Sequence, residues 1–307
     1  FSGSGLFTKQ GGGTVSFLGG YNFAGTTQLL GGGIRIAGAI NPSTVFDLQS
    51  GTVDLTGSTT TTIAGLSGTS GSSLLLGGTS NLTVNQATDT VYAGSISGSG
   101  SLLKQGDGRL NLTGTNTYTG TTTVAGGTLA VNGSITSPVT VKSGATLGGT
   151  GTTGTVTIET GGVFAPGNSI GTISVKGTLR FQAGSKYLVE ASAAGAADRI
   201  NVTGDAVIAS GVTVQVLAAN GTYKPSTTYT ILTATNKITG TFASVSTDLV
   251  FLEPKLNQTS KYVELTLKRK SNTFASVAAD TNQAAVANAL ESMGLYKSMY
   301  DSVLSQN

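Results

Sequence analysis

Gly167-Asn168-Ser169-Ile170-Gly171 has the G-x-S-x-G spacing of a serine nucleophile turn. Such a turn lifts the hydroxyl out between a strand and a helix, and a histidine must take its proton. The sequence has no histidine, and Thr172–Val175 reads as a strand, so the pentapeptide is expected to be a structural turn. Gly149-Thr150-Gly151-Thr152-Thr153-Gly154 has the spacing of a dinucleotide loop. That loop needs a helix N-terminus to hold pyrophosphate, whereas Thr155–Ile158 reads as a strand. These glycines are expected at corners. Asp47 and Asp54 are the type of carboxylate pair that a glycosidase or polysaccharide lyase uses, but they lie seven residues apart with no basic cleft signalled nearby. Gly106-Asp107-Gly108 resembles part of a calcium-binding nonapeptide. Its counterpart, Gly11-Gly12-Gly13, lacks the carboxylate, so a tight turn is expected. With neither Cys nor His, a zinc site is expected still less than a calcium site. No catalytic, cofactor-binding or metal-ligating residue is expected, and the chain is not expected to be an enzyme.

The elements that carry these residues repeat. Residues 1–38 and 96–133 align without a gap at an offset of 95, with fifteen of 38 positions identical. Ser-Gly-Ser-Gly, Lys-Gln-Gly and Gly-Thr-Thr recur in order. Repetition at this scale points to stacked supersecondary units. The 307 residues include 46 Gly, and charged residues make up 10%, far below the quarter found in an ordinary soluble domain. The net charge of +3 is scattered, and no dense basic face is interleaved with aromatics, so no nucleic acid partner is expected. The absence of Cys excludes a disulfide framework and suits a chain that crosses an oxidising compartment. No signal peptide and no run of 18 apolar residues is visible. Residue 1 falls inside a repeat copy, and the chain is expected to be a piece of something longer.

Short alternating strands are expected from residue 1 to about 270, among them Thr14–Leu18, Gln28–Ala37, Gly51–Leu55, Arg109–Thr113, Thr128–Asn132, Val139–Val141 and Thr172–Val175. The pattern also fits an antiparallel sandwich, but the 95-residue spacing and the lack of two-residue hairpin turns favour a solenoid. Coils of 20–25 residues would give about a dozen turns and a rod of roughly 50–60 Å. From 178 the strands lengthen and aromatics appear. Phe164, Phe181, Tyr187, Ile200, Tyr229, Phe242 and Phe251 are expected to form a terminal core. A helical period begins near 274, with Phe274, Val277, Ala278, Thr281, Ala285, Ala289, Met293, Tyr296, Met299 and Val303 on one side. Asp280 and Gln283 have capping-box spacing.

ISGSGSLLKQGDGRLNLTGTNTYTGTTTVAGGTLAVNG (96–133) resembles the passenger-associated transport repeat of bacterial autotransporters. VFAPGNSIGTISVKGTL (163–179), ADRINVTGDAVI (197–208), TTYTILTATNKITGTFASV (227–245) and YVELTLKR (262–269) resemble, in order, the pertactin-like autochaperone segment. FASVAADTNQAAVANAL (274–290) is similar to the linker before the β-barrel translocator. The resemblance implies an all-β, right-handed parallel β-helix with a C-terminal β cap and a short terminal α-helix. It implies repeat-bearing coils over 1–150, an autochaperone cap over 151–270, and a helical linker over 271–307 toward an absent β-barrel, which is the chain's own translocator partner. It implies an extracellular or outer-membrane-surface passenger, open to release by cleavage, whose C-terminal coils fold first. The biological output is expected to be adhesion to a host cell-surface receptor or matrix protein, by a monomer. The alternatives are a released soluble ligand or toxin and a polysaccharide-degrading β-helix enzyme. Lys268-Arg269-Lys270 reads as solvated charge or as a contact with an anionic membrane surface.

Overall fold

The computed structural model describes residues 1–58, 60–78, 80–270 and 281–293. Alternating apolar residues stack in columns, and the strands that carry them form an all-β parallel solenoid with one short C-terminal helix. The cross-section has three faces. Face I is a twelve-stranded sheet that runs from Ser2–Lys9 to Ser244–Thr247. Face II begins as a five-stranded sheet ending at Ser95–Gly98 and continues as an eight-stranded sheet from Thr115–Asn116. Backbone bonds from Thr117 N to Ile96 O and from Thr119 N to Gly98 O join the two. Face III is a nine-stranded sheet from Thr60–Ile63 to Ile238–Thr239. The chain alternates between I and II up to Gly51–Asp54, and from Thr60–Ile63 onward it visits III, I and II in turn. Eleven steps along face I, at about 4.8 Å each, make a rod of roughly 50 Å.

Coil length departs from the expected 20–25 residues at both ends of the range. Leu6 pairs with Thr26, twenty residues on. Leu147 pairs with Phe164, Tyr187 with Val214, and Val214 with Val245. The extra residues leave the prism at the corner after face I, where residues 167–171, 192–198 and 219–225 separate one strand from the next. One predicted strand is also two. Gln28–Ala37 covers the end of Asn22–Leu29 on face I and all of Gly33–Ile36 on face II, because Gly31 and Gly32 turn the corner between them.

A single core of inward side chains runs through the rod. Near its end Phe164, Phe181 and Tyr187 are fully buried, with ring centroids about 6 Å apart, and Phe242 packs on Phe181 and Tyr187. Ile200, Tyr229 and Phe251 are buried as expected. The Tyr187 hydroxyl donates to Ile231 O at 2.6 Å, which satisfies its polar end inside the core. The stack is closed by an antiparallel hairpin, Leu252–Gln258 and Tyr262–Arg269, whose second strand lies antiparallel to Ser226–Ala234.

The helix spans Thr281–Met293. Its covered side carries Ala287 and, half-covered, Ala284, whereas Ala285 and Ala289 are exposed. The expected apolar stripe is therefore displaced. Alanine covers so much of this helix that periodicity alone does not choose a face. Phe274, Val277, Ala278, Asp280, Tyr296, Met299 and Val303 lie outside the described residues.

Candidate functional site

Two sites rise above the general architecture, and the first is built by the repeat itself. On face III, Lys104 stands in an inward column in register with Ile63, Val84, Val124, Val141 and Ile158. It is 0% exposed. Its aliphatic stem packs among these side chains and its ammonium turns to the next corner. There it donates to Gln105 O at 2.8 Å, Gly106 O at 2.9 Å and Gly126 O at 3.2 Å. Gly106 bends the corner at φ +72°, in the left-handed region that glycine adopts freely. An ammonium carries three donors, so the cage is complete. Burial lowers the Lys104 pKa to about 8, and the nearby Asp107 and Asp89 oppose the shift.

Lys9 reproduces this arrangement 95 residues earlier. It donates to Gln10 O at 2.7 Å, Gly11 O at 2.9 Å and Gly31 O at 3.1 Å. The two copies occupy different faces. Lys9 ends a face I strand, and its cage lies at the corner to face II. Lys104 lies on face III, at the corner to face I. With about twenty residues per coil, as between Leu6 and Thr26, an offset of 95 residues is about four and two-thirds turns. The module is a corner and is not tied to a face.

The second site is the G-x-S-x-G segment. After Val163–Pro166 the chain folds back over the outer surface of face I. Gly167 and Gly149 bond to each other in both directions, at 2.8 and 3.0 Å. Asn168 exchanges amide bonds with Asn132, 3.1 Å in one direction and 2.8 Å in the other, and its carbonyl oxygen also accepts from Arg109 Nη2. Asp198, 1% exposed, holds the far end. Its Oδ1 accepts from Gly171 N and its Oδ2 from Glu190 N, both at 2.8 Å. Burial raises the Asp198 pKa to about 7 against the pull of these two N–H donors, and the Glu190 charge adds to the rise. The strap forms a ridge between two shallow depressions of about 200 and 240 Å³. Arg109, Leu188 and Glu190 line the first, and Glu190, Leu217 and Asp248 the second. Ser169 is exposed on the ridge and is followed by a strand, Thr172–Val175, so the segment is a turn held from both ends.

The remaining sequence candidates are dispersed. Gly149 and Gly151 flank a corner followed by the strand Thr152–Thr153 and then by Val156–Ile158, with no helix. Asp47 lies on face I and accepts from Gln28 Nε2 at 2.9 Å. Asp54 lies on face II, 3.7 Å from Arg35 Nε. The two carboxylates therefore serve different faces. Lys268 stands opposite Glu253 in the closing hairpin. Among the described residues no three acidic side chains converge to hold a metal ion. Sequence reasoning missed Lys9, Lys104, Asn132 and Asp198 as structural centres. The shared Lys-Gln-Gly was the available signal for the lysines.

The family match bears on the first site. Residues 7–36 and 102–131 match the passenger-associated-transport-repeat family, and each match begins just before the caged lysine and ends past the glycine that completes its cage. Two proteins of Serratia marcescens, each called extracellular serine protease, are 34% and 31% identical over 66% of this chain. The adhesin BmaC autotransporter of Brucella suis biovar 1 is 41% identical over 26% of the chain, which covers 2% of that protein. The expectation that the protein is not an enzyme is corrected by the two proteases. That expectation rests on the missing histidine of these 307 residues, but the chain spans only 20% of the length of either protease. A parallel β-solenoid that carries two passenger-associated transport repeats, with an autotransporter adhesin among its relatives, is similar to the passengers of bacterial autotransporters.

Proposed function

We propose that the chain is the folding scaffold of a passenger displayed or released outside the cell, and that its C-terminal coils nucleate the solenoid. The observation that carries this reading is the asymmetry of the rod. The antiparallel hairpin at Leu252–Arg269 closes one end over the Phe164, Phe181, Tyr187 and Phe242 cluster. Along the rest of the stack each coil bonds in parallel to the next, so coils add one at a time to a finished base. Its own β-barrel is the export partner in this reading. Hydrogen exchange of the full chain in rising urea tests the order. Strands from 186 to 269 should keep protection after residues 1–131 have lost it. Uniform loss, or survival of the N-terminal coils, would remove the nucleus from the C-terminal end.

The outward task in this proposal is host interaction, with the rod presenting its corner loops to a cell surface or matrix, as the adhesin relative favours. Saturable binding of the labelled chain to host cells or matrix proteins is the test. The names of the two proteases favour a second reading, in which the rod supports an extracellular peptidase. Cleavage of casein by the chain in its natural full-length context, blocked by a serine-directed inhibitor, would select it.

A further inference from the structure

We infer that Lys9 and Lys104 fix the register in which neighbouring coils stack. The columns inside the rod are nearly interchangeable. Ile63, Val84, Val124, Val141 and Ile158 share one column with Lys104. A coil that slid by two residues along its neighbour would still place apolar groups inward, because side chains alternate with a period of two. Burial of the strand side chains alone therefore discriminates weakly between registers.

The lysine discriminates strongly. Two of its acceptors, Gln105 O and Gly106 O, belong to its own corner, and the third, Gly126 O, belongs to the corner of the following coil. A slip of two residues moves that third carbonyl by about 6–7 Å. The ammonium would then be buried with an acceptor missing, an unfavourable state for a charge removed from water. Lys9 sets the same condition between its own corner and Gly31. Two caged lysines at different corners of the prism, with equivalent acceptors, tie the device to the contact between coils and not to one local environment. Buried charged groups are best attested in such registry roles, where they specify one arrangement over near neighbours. The pin acts whichever end of the rod folds first.

The test uses the full chain, refolded from urea and followed by hydrogen-exchange mass spectrometry. Lys104→Met keeps the stem and removes the charge. The wild type should return as one protected population across residues 81–131. Lys104→Met should return as two, with a less protected population of about one-tenth or more in that segment, while residues 1–48 stay uniform. Lys9→Met should show the reverse distribution. Lys104→Gln, which restores two donors, should lower the second population relative to Met. A single refolded population for Lys104→Met with wild-type protection would overturn the inference. So would a lowered urea midpoint with only one population, since that is a staple without a registry role. If the Met variant does not refold, the Gln variant decides by the same criterion. The order in which wild-type segments lose protection is read separately, so the nucleation reading can fail while the register pin stands.

Discussion

The substitution Asp198→Asn should reshape the pH dependence of stability, and the sign follows from burial. The ordinary aspartate value is 3.8, and the folded protein holds Asp198 at about 7. Between these values the folded state keeps a proton that the unfolded chain has released. Stability is therefore greatest in acid and falls as pH rises, by up to about 1.4 kcal/mol per pH unit, until it levels off above about 7. Integrated over that window the effect is on the order of 4 kcal/mol, an upper figure because local opening of the strap would hydrate the carboxylate. The replacement amide has no charge to bury but offers one acceptor where two N–H groups point, which costs about 1 kcal/mol at every pH. Urea denaturation followed by circular dichroism, at several pH values from about 5 to 8, gives the difference between the two proteins, and contributions from other carboxylates cancel. The wild type should lead the variant in acid and lose that lead toward pH 8. A difference that stays constant with pH would refute the assignment of a buried, neutral Asp198. A difference that grows with pH would mean that the bonds from Gly171 and Glu190 outweigh burial.

Phe181→Ala removes a ring that contacts Phe164, Tyr187 and Phe242, and should lower stability by about 3–5 kcal/mol in the same denaturation assay. Asn168→Ala unties the strap from Asn132 and Arg109. Its global cost should be only about 0.5–1.5 kcal/mol, while amide exchange at 167–171 accelerates at least tenfold. Gly98 has φ +102°, and a Cβ there would collide with the Leu76 carbonyl oxygen, so Gly98→Ala should cost about 2 kcal/mol or more, measured by thermal melting.

The solenoid is legible in the sequence because its physics is local and repeated. Alternation marks the buried side, glycine marks the corner, and a repeat fixes the stacking. Size and strand phase mark Phe164, Phe181, Tyr187 and Tyr229 as core, and they are buried. The lysine cage is not legible. Leu102 and Leu103 are consecutive, so the phase of Ser101–Gln105 is ambiguous, and a lysine is ordinarily placed outward. Only the paired strands put Leu102 and Lys104 on the inner side. The strap is half-legible. A glycine-bounded turn is clear from Gly167 and Gly171, but its anchor at Asp198 lies 27 residues on, and that at Arg109 lies 59 residues back. Contacts of that separation leave no periodic trace in the chain.

The one-face displacement of the repeat has a consequence for multivalent recognition. The two cage corners are the two long edges of face I, one where it meets face II and the other where it meets face III. They are offset along the axis by roughly 22 Å, at about 4.8 Å per coil. A partner that recognises the outward side of one corner meets the second copy only by lying diagonally across face I. On face II or face III it meets a single copy. Avidity from the duplication is thus available from one side of the rod alone, and its strength depends on whether a partner's own spacing matches that diagonal.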